Sequence, residues 1–153
     1  MINNDILRRI RYTFDFSDNK LKSIFHLVDN SITMEQIQLW LKREEDDGFE
    51  ICTDSQFAAF LNGLIIYNRG KKDNKPVEIE NRLNNNQILM KLKIALNLKA
   101  EDLLEIMELA EFRISKHELS AFFRRDNHKH YRECKNQIFR NFLYGIQLKY
   151  RKN

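Results

Sequence analysis

The sequence contains few of the residues that break helices or cross-link a chain. It has one proline, four glycines and two cysteines in 153 residues. Scarce proline and glycine disfavour a turn-rich β fold and favour helices. Two cysteines are too few for a disulfide framework, so we expect free thiols in a reducing cytoplasm.

Long apolar segments are also scarce. The longest, residues 57–67, is interrupted by Asn62 and Gly63 and is too short to cross a bilayer. Residues 1–9 contain no apolar stretch behind a basic start, so no secretory signal is predicted. These absences lead us to expect a cytoplasmic protein that makes no membrane contact.

The sequence does contain an internal repeat. Residues 3–71 align with residues 85–153 at an offset of 82 positions without a gap. A register of that length indicates a duplicated domain. We assign residues 1–70 to the first repeat, 71–84 to a linker and 85–153 to the second repeat. Identical residues at paired positions include Asn3 and Asn85, Leu21 and Leu103, Cys52 and Cys134, and Gly63 and Gly145.

Hydrophobic spacing predicts four helices in each repeat. In the first repeat these are Asp5–Phe14, with Asn4 as its N-cap, then Asp18–Asp29, then helices that begin after Thr33 and Thr53. Three capping boxes, each a hydroxyl followed three residues later by Gln or Glu, support helix starts. They are Thr33 with Gln36, Thr53 with Gln56, and Ser115 with Glu118.

A glycine occurs inside the fourth helix of each repeat, at Gly63 and Gly145. Glycine costs a helix about 1 kcal/mol relative to alanine, so its presence in both copies predicts close helix packing there, for instance across the repeat boundary. The chain is therefore predicted to be an all-α protein. It is a tandem duplication of a small four-helix unit, helix-turn-helix-like, packed as one compact body.

Positive charge is concentrated in the second repeat. Residues 84–153 carry 14 basic and 8 acidic side chains, whereas residues 1–72 carry 10 and 11. Such a cluster favours contact with phosphate or nucleic acid, although a solvated surface or a site for an acidic protein has the same composition. The cluster comprises Arg113, Lys116, His117, Arg124, Arg125, His128, Lys129, His130, Arg132 and Lys135.

The first repeat is a control for this cluster. Where the second repeat has residues 124–132, the first has residues 42–50, which include Glu44, Glu45, Asp46, Asp47 and Glu50. The same loop therefore has opposite charge in the two copies. A fold does not require that inversion, so it marks a position where function has diverged.

The second repeat also contains a pattern that resembles a helix-turn-helix. A helix followed by a capped helix resembles a DNA-reading pair, in which Lys116, His117, Ser120 and Arg124 would line the reading face. The break lacks glycine and is longer than in repressors, and similar pairs occur in ordinary bundles. This arrangement is consequently a weaker basis for nucleic-acid binding than the charge itself.

Metal binding and catalysis have little support in the sequence. His128, His130 and Cys134 are zinc-ligand types, but the first repeat keeps the cysteine as Cys52 without the histidines. The same comparison argues against a Cys134–His130 nucleophile and base. No glycine-rich phosphate loop is present. We predict no bound metal, no cofactor and no enzymatic activity.

Several segments resemble the bacterial YehS family. They are residues 113–124 (RISKHELSAFFR), 128–135 (HKHYRECK), 83–86 (LNNN) and 59–65 (AFLNGLI), and the resemblance extends over essentially the whole chain. The resemblance implies a bacterial origin and a duplicated domain of unknown function. It implies no activity, because no catalytic or binding residues are assigned in that family.

The sequence thus predicts a non-enzymatic binding protein that contacts nucleic acid through the basic surface of its second repeat. The alternative is a protein–protein interaction module that uses the complementary acidic and basic loops, or the basic loop with an acidic partner. Exposed ion pairs contribute only about 0–1 kcal/mol each, so we expect a monomer or a weak dimer.

Overall fold

The computed structural model describes residues 1–73 and 75–152, and all regular elements in these ranges are α-helices. The linker predicted over 71–84 and the end of the second repeat include Asn74 and Asn153, which lie outside the described residues. The chain divides into two units, Met1–Leu83 and Asn84–Asn153. The first unit contains α1 (Asn3–Phe14), α2 (Asp18–His26), α3 (Met34–Trp40) and α4 (Asp54–Arg69). The second contains α5 (Asn85–Ala95), α6 (Ala100–Leu109), α7 (Lys116–Ala121) and α8 (Asn136–Tyr150).

The helices of the two units correspond one to one. Each helix of the second unit begins 82 positions after its counterpart in the first, from α1 and α5 through α4 and α8. Since helix starts depend on local capping and on burial together, the constant offset shows that both copies use the same structural signals. The prediction of a duplicated all-α unit with four helices is confirmed.

The capping boxes form as predicted. The Gln36 backbone N–H donates to Thr33 Oγ1 at 3.1 Å, and the Thr33 N–H donates to Gln36 Oε1 at 2.9 Å. Thr53 with Gln56 and Ser115 with Glu118 repeat both bonds. Each box satisfies two backbone donors that a helix start leaves without an intrahelical partner. The starts of α3, α4 and α7 are therefore fixed by the sequence itself.

The start of α1 differs from the prediction, because Asn4 is not an N-cap. The helix already begins at Asn3, and Asn4 is fully buried. Its amide nitrogen donates to the carbonyls of Trp40 (2.9 Å) and Glu50 (2.8 Å), and its Oδ1 accepts the Cys52 N–H at 2.9 Å. The Asn4 side chain thus satisfies three backbone groups in the interior of the unit and does not cap the helix start. We call this residue and its counterpart Asn86 the asparagine clamps.

The clamp of the second unit repeats the first bond by bond. Asn86 donates to the carbonyls of Phe122 (3.0 Å) and Arg132 (2.8 Å) and accepts the Cys134 N–H at 2.9 Å. Beside it, Asn85 donates to the Cys134 carbonyl at 2.9 Å, as Asn3 does to Cys52 at 3.1 Å. In each unit, the first helix therefore holds the loop that leads into the last helix.

Aromatic side chains fill the core of each unit. In the first, the Phe25 ring lies 5.6 Å from Trp40 and 5.3 Å from Phe60 between ring centroids, distances typical of favourable aromatic pairs. In the second, three buried phenylalanines provide most of the aromatic volume: Phe122, Phe139 and Phe142.

The helix glycines mark close packing inside each repeat. A Cβ atom placed on Gly63 would lie well under 3.0 Å from the Ile24 carbonyl oxygen of α2, and one on Gly145 would meet the Ile106 oxygen of α6 in the same way. The close approach therefore joins α4 to α2 and α8 to α6. The prediction of close packing is confirmed, but these contacts lie within each unit and not across the repeat boundary.

The second helix of each repeat ends earlier than predicted. α2 ends at His26 rather than at the predicted Asp29, and α6 ends at Leu109, before Glu111, which is the position equivalent to Asp29. In the first unit, His26 Nε2 lies 2.6 Å from the Ile32 carbonyl oxygen and bonds to the following connection. In the second, Glu111 adopts a left-handed backbone with φ of 57°. Both endings depend on contacts that helical periodicity does not encode.

Candidate nucleic-acid interface

The ten predicted basic residues all fall in three adjoining segments of the second unit. Arg113 lies in the α6–α7 connection, Lys116 and His117 open α7, Lys135 directly precedes α8, and the remainder lie on the α7–α8 loop, residues 124–132. All are exposed except Arg124, which is half-buried. We call these ten residues the basic surface.

The α7–α8 loop repeats backbone hydrogen bonds of the acidic α3–α4 loop, although Gly48 has a φ of 84° and the equivalent His130 is not among the described residues with positive φ. In the second unit, the His128 N–H donates to the Arg125 carbonyl and the Tyr131 N–H to the His128 carbonyl, both at 2.9 Å. The first unit has the matching bonds from Asp46 and Phe49, at 3.0 and 3.3 Å. Residues 124–132 carry four basic and one acidic side chain, whereas residues 42–50 carry two and five. Two loops that share backbone hydrogen bonds, residues 42–50 and 124–132, therefore carry opposite net charge.

The ends of the basic loop are held by backbone groups rather than by its side chains. Asn86 binds the carbonyls of Phe122 and Arg132, and the Arg132 N–H donates to the Ala121 carbonyl at 3.2 Å. Because these bonds use main-chain atoms, they do not specify which charges the loop carries. Between the held ends, the side chains of residues 125–130 are exposed to solvent.

Three members of the basic surface are already paired. Lys116 lies 3.4 Å from Glu101, Arg132 lies 3.3 Å from Glu118, and Lys135 lies 3.1 Å from Glu133. These exposed pairs are weak, and a phosphate competes with the carboxylate at little cost. In the part of the chain that the structure describes, no ion pair involves Arg125 or Lys129. Within the α7–α8 loop, these two cations are the most available.

Two arginines of the surface also have structural roles. The Arg132 guanidinium lies 5.6 Å from the centre of the buried Phe122 ring, a cation–π arrangement. The Nε atom of Arg124 is buried and has no hydrogen-bond partner among residues 1–73 and 75–152. Substitution of either residue would alter packing as well as charge. They are poor positions for a test of binding.

The helix proposed from sequence as a DNA reader is short. α7 has six residues, about 9 Å along its axis at the usual helical rise. Lys116, His117 and Ser120 are exposed, but the Ser120 hydroxyl donates to the His117 carbonyl at 2.8 Å, within its own helix. The geometry favours contacts from the loop to phosphates over base reading by α7.

The two loop histidines lie side by side. Their ring centroids are 5.6 Å apart, and the His130 backbone N–H donates to His128 Nδ1 at 3.0 Å. Cys134, by contrast, is buried beneath the clamp. In residues 1–73 and 75–152, no group of three or more His, Cys, Asp or Glu side chains is placed to hold a metal ion. The absence of zinc stays a prediction for metal analysis of the purified protein.

Both thiols are buried and protonated. Burial, with a smaller contribution from Asp54, raises the pKa of Cys52 from 9.0 to about 12. Burial likewise raises the pKa of Cys134 to about 12, against the opposing effect of Arg132. Since only the thiolate is nucleophilic, neither residue is suited to attack a substrate.

We expect both thiols to resist a disulfide reagent in the folded protein. A rise in pKa from 9.0 to about 12 lowers the thiolate fraction about a thousandfold. Between pH 9.0 and about 12, the unfolded chain loses its thiol protons whereas the folded protein keeps them. The contribution of the protonated thiols to the free energy of unfolding is therefore complete below pH 9.0 and is lost as the pH rises towards about 12. Ellman titration should detect no rapid reaction until denaturant is added, after which two thiols should react. A fast native reaction would show that a cysteine is accessible.

One feature of the second unit was not predicted. A groove of about 660 Å³ lies at the end of α6 and the start of α7, with Leu104, Phe112 and Ile114 among its lining residues. The signal that would have revealed it is the comparison of repeats, since Lys22 and Asn30 stand where the second copy has Leu104 and Phe112. Leu104 and Phe112 thus place apolar side chains at half-buried positions where the first repeat has polar ones, and a partly exposed apolar patch of this kind indicates a binding surface.

No helix in residues 1–73 and 75–152 has the length and apolar character needed to cross a membrane.

Comparison with known proteins identifies relatives of this chain. The model of a family described as protein of unknown function (DUF1456) matches residues 3–70 and again residues 85–152. An uncharacterised protein, YehS of Escherichia coli (strain K12), is 44% identical over 147 residues, which cover 95% of this chain and 94% of that protein. No solved structure matches. The chain therefore belongs to the DUF1456 family, whose domain it contains twice, and the resemblance to YehS is confirmed.

Proposed function

We propose that this is a non-enzymatic binding protein that contacts nucleic acid through the basic surface of its second repeat. The observation that supports this most directly is the charge inversion between equivalent loops. The backbone hydrogen bonds of residues 42–50 recur in residues 124–132, yet three of the five acidic side chains of the first loop, at Asp46, Asp47 and Glu50, are replaced by His128, Lys129 and Arg132 in the second. The cytoplasm, where buried free thiols stay reduced, is the proposed location.

The side chains of the loop are suited to phosphate. Arg125 and Lys129 are exposed cations on a loop whose ends are pinned by backbone bonds. Tyr131, two residues after Lys129, is half-buried, and burial together with Glu133 and Asp126 raises its pKa, so it stays a neutral phenol. A neutral aromatic ring among cations provides a surface on which an unpaired base can stack. This composition favours single-stranded nucleic acid.

Binding of this kind is expected to have little sequence preference. Contacts from loop cations to phosphates position a strand but do not read bases. Each phosphate contact releases counterions, so affinity should fall steeply with salt, with a log–log slope of about 0.7 per contact on single strands and about 0.9 on duplex DNA.

Reversing the two available cations should weaken binding by about tenfold or more and should reduce the salt slope by the two lost contacts. The variant is Arg125→Glu with Lys129→Asp, measured by fluorescence anisotropy with labelled single-stranded DNA and RNA at low salt. The matched control is Lys71→Glu with Lys72→Asp, which makes the same charge change at two exposed residues that precede the second repeat.

Two results would contradict this proposal. One is the absence of binding to DNA and RNA at low salt. The other is an equal loss in the Lys71 and Lys72 control, since net charge rather than the basic surface would then determine affinity. If nucleic acid does not bind but the protein self-associates as salt is lowered, the alternative is favoured, in which the acidic and basic loops pair between molecules. That contact should be weak, because exposed ion pairs contribute about 0–1 kcal/mol each.

A further inference from the structure

The groove in the second unit has an apolar floor and a charged rim. Leu104, Phe112 and Ile114 line it and are each half-buried, so their apolar atoms remain partly exposed to solvent. Glu108 and Glu111 are exposed and also line it. Its volume, about 660 Å³, falls in the range of small-ligand and peptide-anchor pockets.

The first repeat shows that the fold does not require the residues that line this groove. There, Lys22 replaces Leu104, His26 replaces Glu108 and Asn30 replaces Phe112. His26 Nε2 bonds the Ile32 carbonyl at 2.6 Å, and Ile32 is only 4% exposed.

In the second repeat, the equivalent isoleucine, Ile114, is half-buried. Its neighbours on the groove, Leu104 and Phe112, are also partly exposed, where the first repeat has polar side chains. The apolar side chains at these two positions are therefore specific to the second repeat.

The backbone of the second copy also differs at this place. Glu111 has φ of 57°, a left-handed conformation that a non-glycine residue rarely adopts, and the equivalent Asp29 is not among the described residues with positive φ. The turn is closed by the Glu111 N–H donating to the Glu108 carbonyl at 2.8 Å and the Phe112 N–H donating to the Met107 carbonyl at 2.9 Å. This turn leads the chain from α6 directly into Phe112 on the groove.

The charges of the rim indicate the kind of partner. Glu118, on the far side, accepts from the Ser115 N–H and from Arg132, so its charge is already compensated. In the described part of the chain, no ion pair involves Glu108 or Glu111. Arg113 adds one guanidinium, which is suited to a peptide carbonyl. A cationic group over the two glutamates is therefore complementary, whereas a nucleic-acid backbone is repelled.

We propose that this groove binds a short segment of a partner protein in which apolar side chains alternate with lysine or arginine. The apolar side chains contact Leu104, Phe112 and Ile114, and the cations pair with Glu108 and Glu111. The groove adjoins the basic surface, since Arg113 belongs to both, but its apolar side chains and its two glutamates are not part of that surface. The failure of one proposal therefore leaves the other standing.

The first test reverses the rim. A fluorescein-labelled peptide of alternating lysine and leucine is titrated with the full-length protein, and anisotropy gives the affinity. Glu108→Lys with Glu111→Lys should weaken binding about tenfold or more, the size expected when two rim contacts are lost. Glu44→Lys with Glu45→Lys makes the same charge change in the acidic loop of the first repeat and should leave the affinity unchanged. Equal losses in both variants would overturn the proposal.

The second test alters the floor with residues that the fold already accepts. Leu104→Lys with Phe112→Asn introduces the side chains of the first repeat, and circular dichroism checks that the variant is folded. Peptide affinity should again fall about tenfold. A peptide of lysine alone and one of alternating glutamate and leucine should bind at least tenfold more weakly than the lysine–leucine peptide to the unaltered protein. Equal binding of the lysine-only peptide, or unchanged affinity in the folded floor variant, would refute an apolar site.

Discussion

Replacing Gly145 with alanine is expected to lower the free energy of unfolding by about 3 kcal/mol. The added methyl group would lie well under 3.0 Å from the Ile106 carbonyl oxygen and close to the Ile106 side chain, so α8 and α6 would have to separate. In an unpacked helix, the same change would be favourable by about 1 kcal/mol. Urea unfolding followed by circular dichroism gives the difference, and Gly63→Ala should behave alike against Ile24.

The control is Arg140→Ala, an exposed position in the middle of α8. It introduces the same residue in the same helix without a steric clash and should change the free energy of unfolding by at most about 0.5 kcal/mol. A Gly145→Ala protein as stable as the original would mean that the two helices do not approach as closely as described.

The second large effect is expected at Asn86. Aspartate has almost the same shape, but it replaces the amide that donates to the Phe122 and Arg132 carbonyls with an oxygen that cannot donate when ionised. The buried Phe122 carbonyl and the partly buried Arg132 carbonyl lose their partner and face a buried negative charge. We expect a loss of about 3 kcal/mol or more in the free energy of unfolding, measured in urea near neutral pH.

The neighbouring asparagines provide matched controls. Asn84 is the N-cap of α5 and accepts the Gln87 N–H at 2.8 Å, a role that aspartate performs equally well, so Asn84→Asp should be nearly neutral. Asn85 donates to the Cys134 carbonyl and to Asn136 Oδ1 near the surface, so Asn85→Asp should fall between the two. Equal effects at the three consecutive positions would contradict the clamp.

The signals that could be predicted from sequence are those carried by local chemistry. Thr33 with Gln36 specifies a helix start because both bonds close within four residues. The duplication could also be predicted, because the offset between the repeats is found by comparing residue types and needs no tertiary contact. The basic surface was also predicted, because charge is a property of the side chain whatever it contacts.

Contacts between elements could not be predicted in the same way. Asn4 has the residue type of an N-cap, and only the tertiary structure places it opposite Trp40, Glu50 and Cys52. The glycine pattern predicted close packing but not its partner, because Gly63 carries no information about which helix it meets. The groove needs Leu104 from α6 and Ile114 from the next connection to line one opening.

The asparagine clamps have a consequence for the order in which the chain is made. Asn4 leaves the ribosome well before its partners at Glu50 and Cys52, which follow 46 and 48 positions later. Closing so long a loop costs entropy that is recovered only when the distant groups arrive. During synthesis, the first helix of each repeat can therefore form its clamp bonds only after nearly the whole repeat has been made. A nascent chain that stops short of residue 52 cannot complete its first clamp.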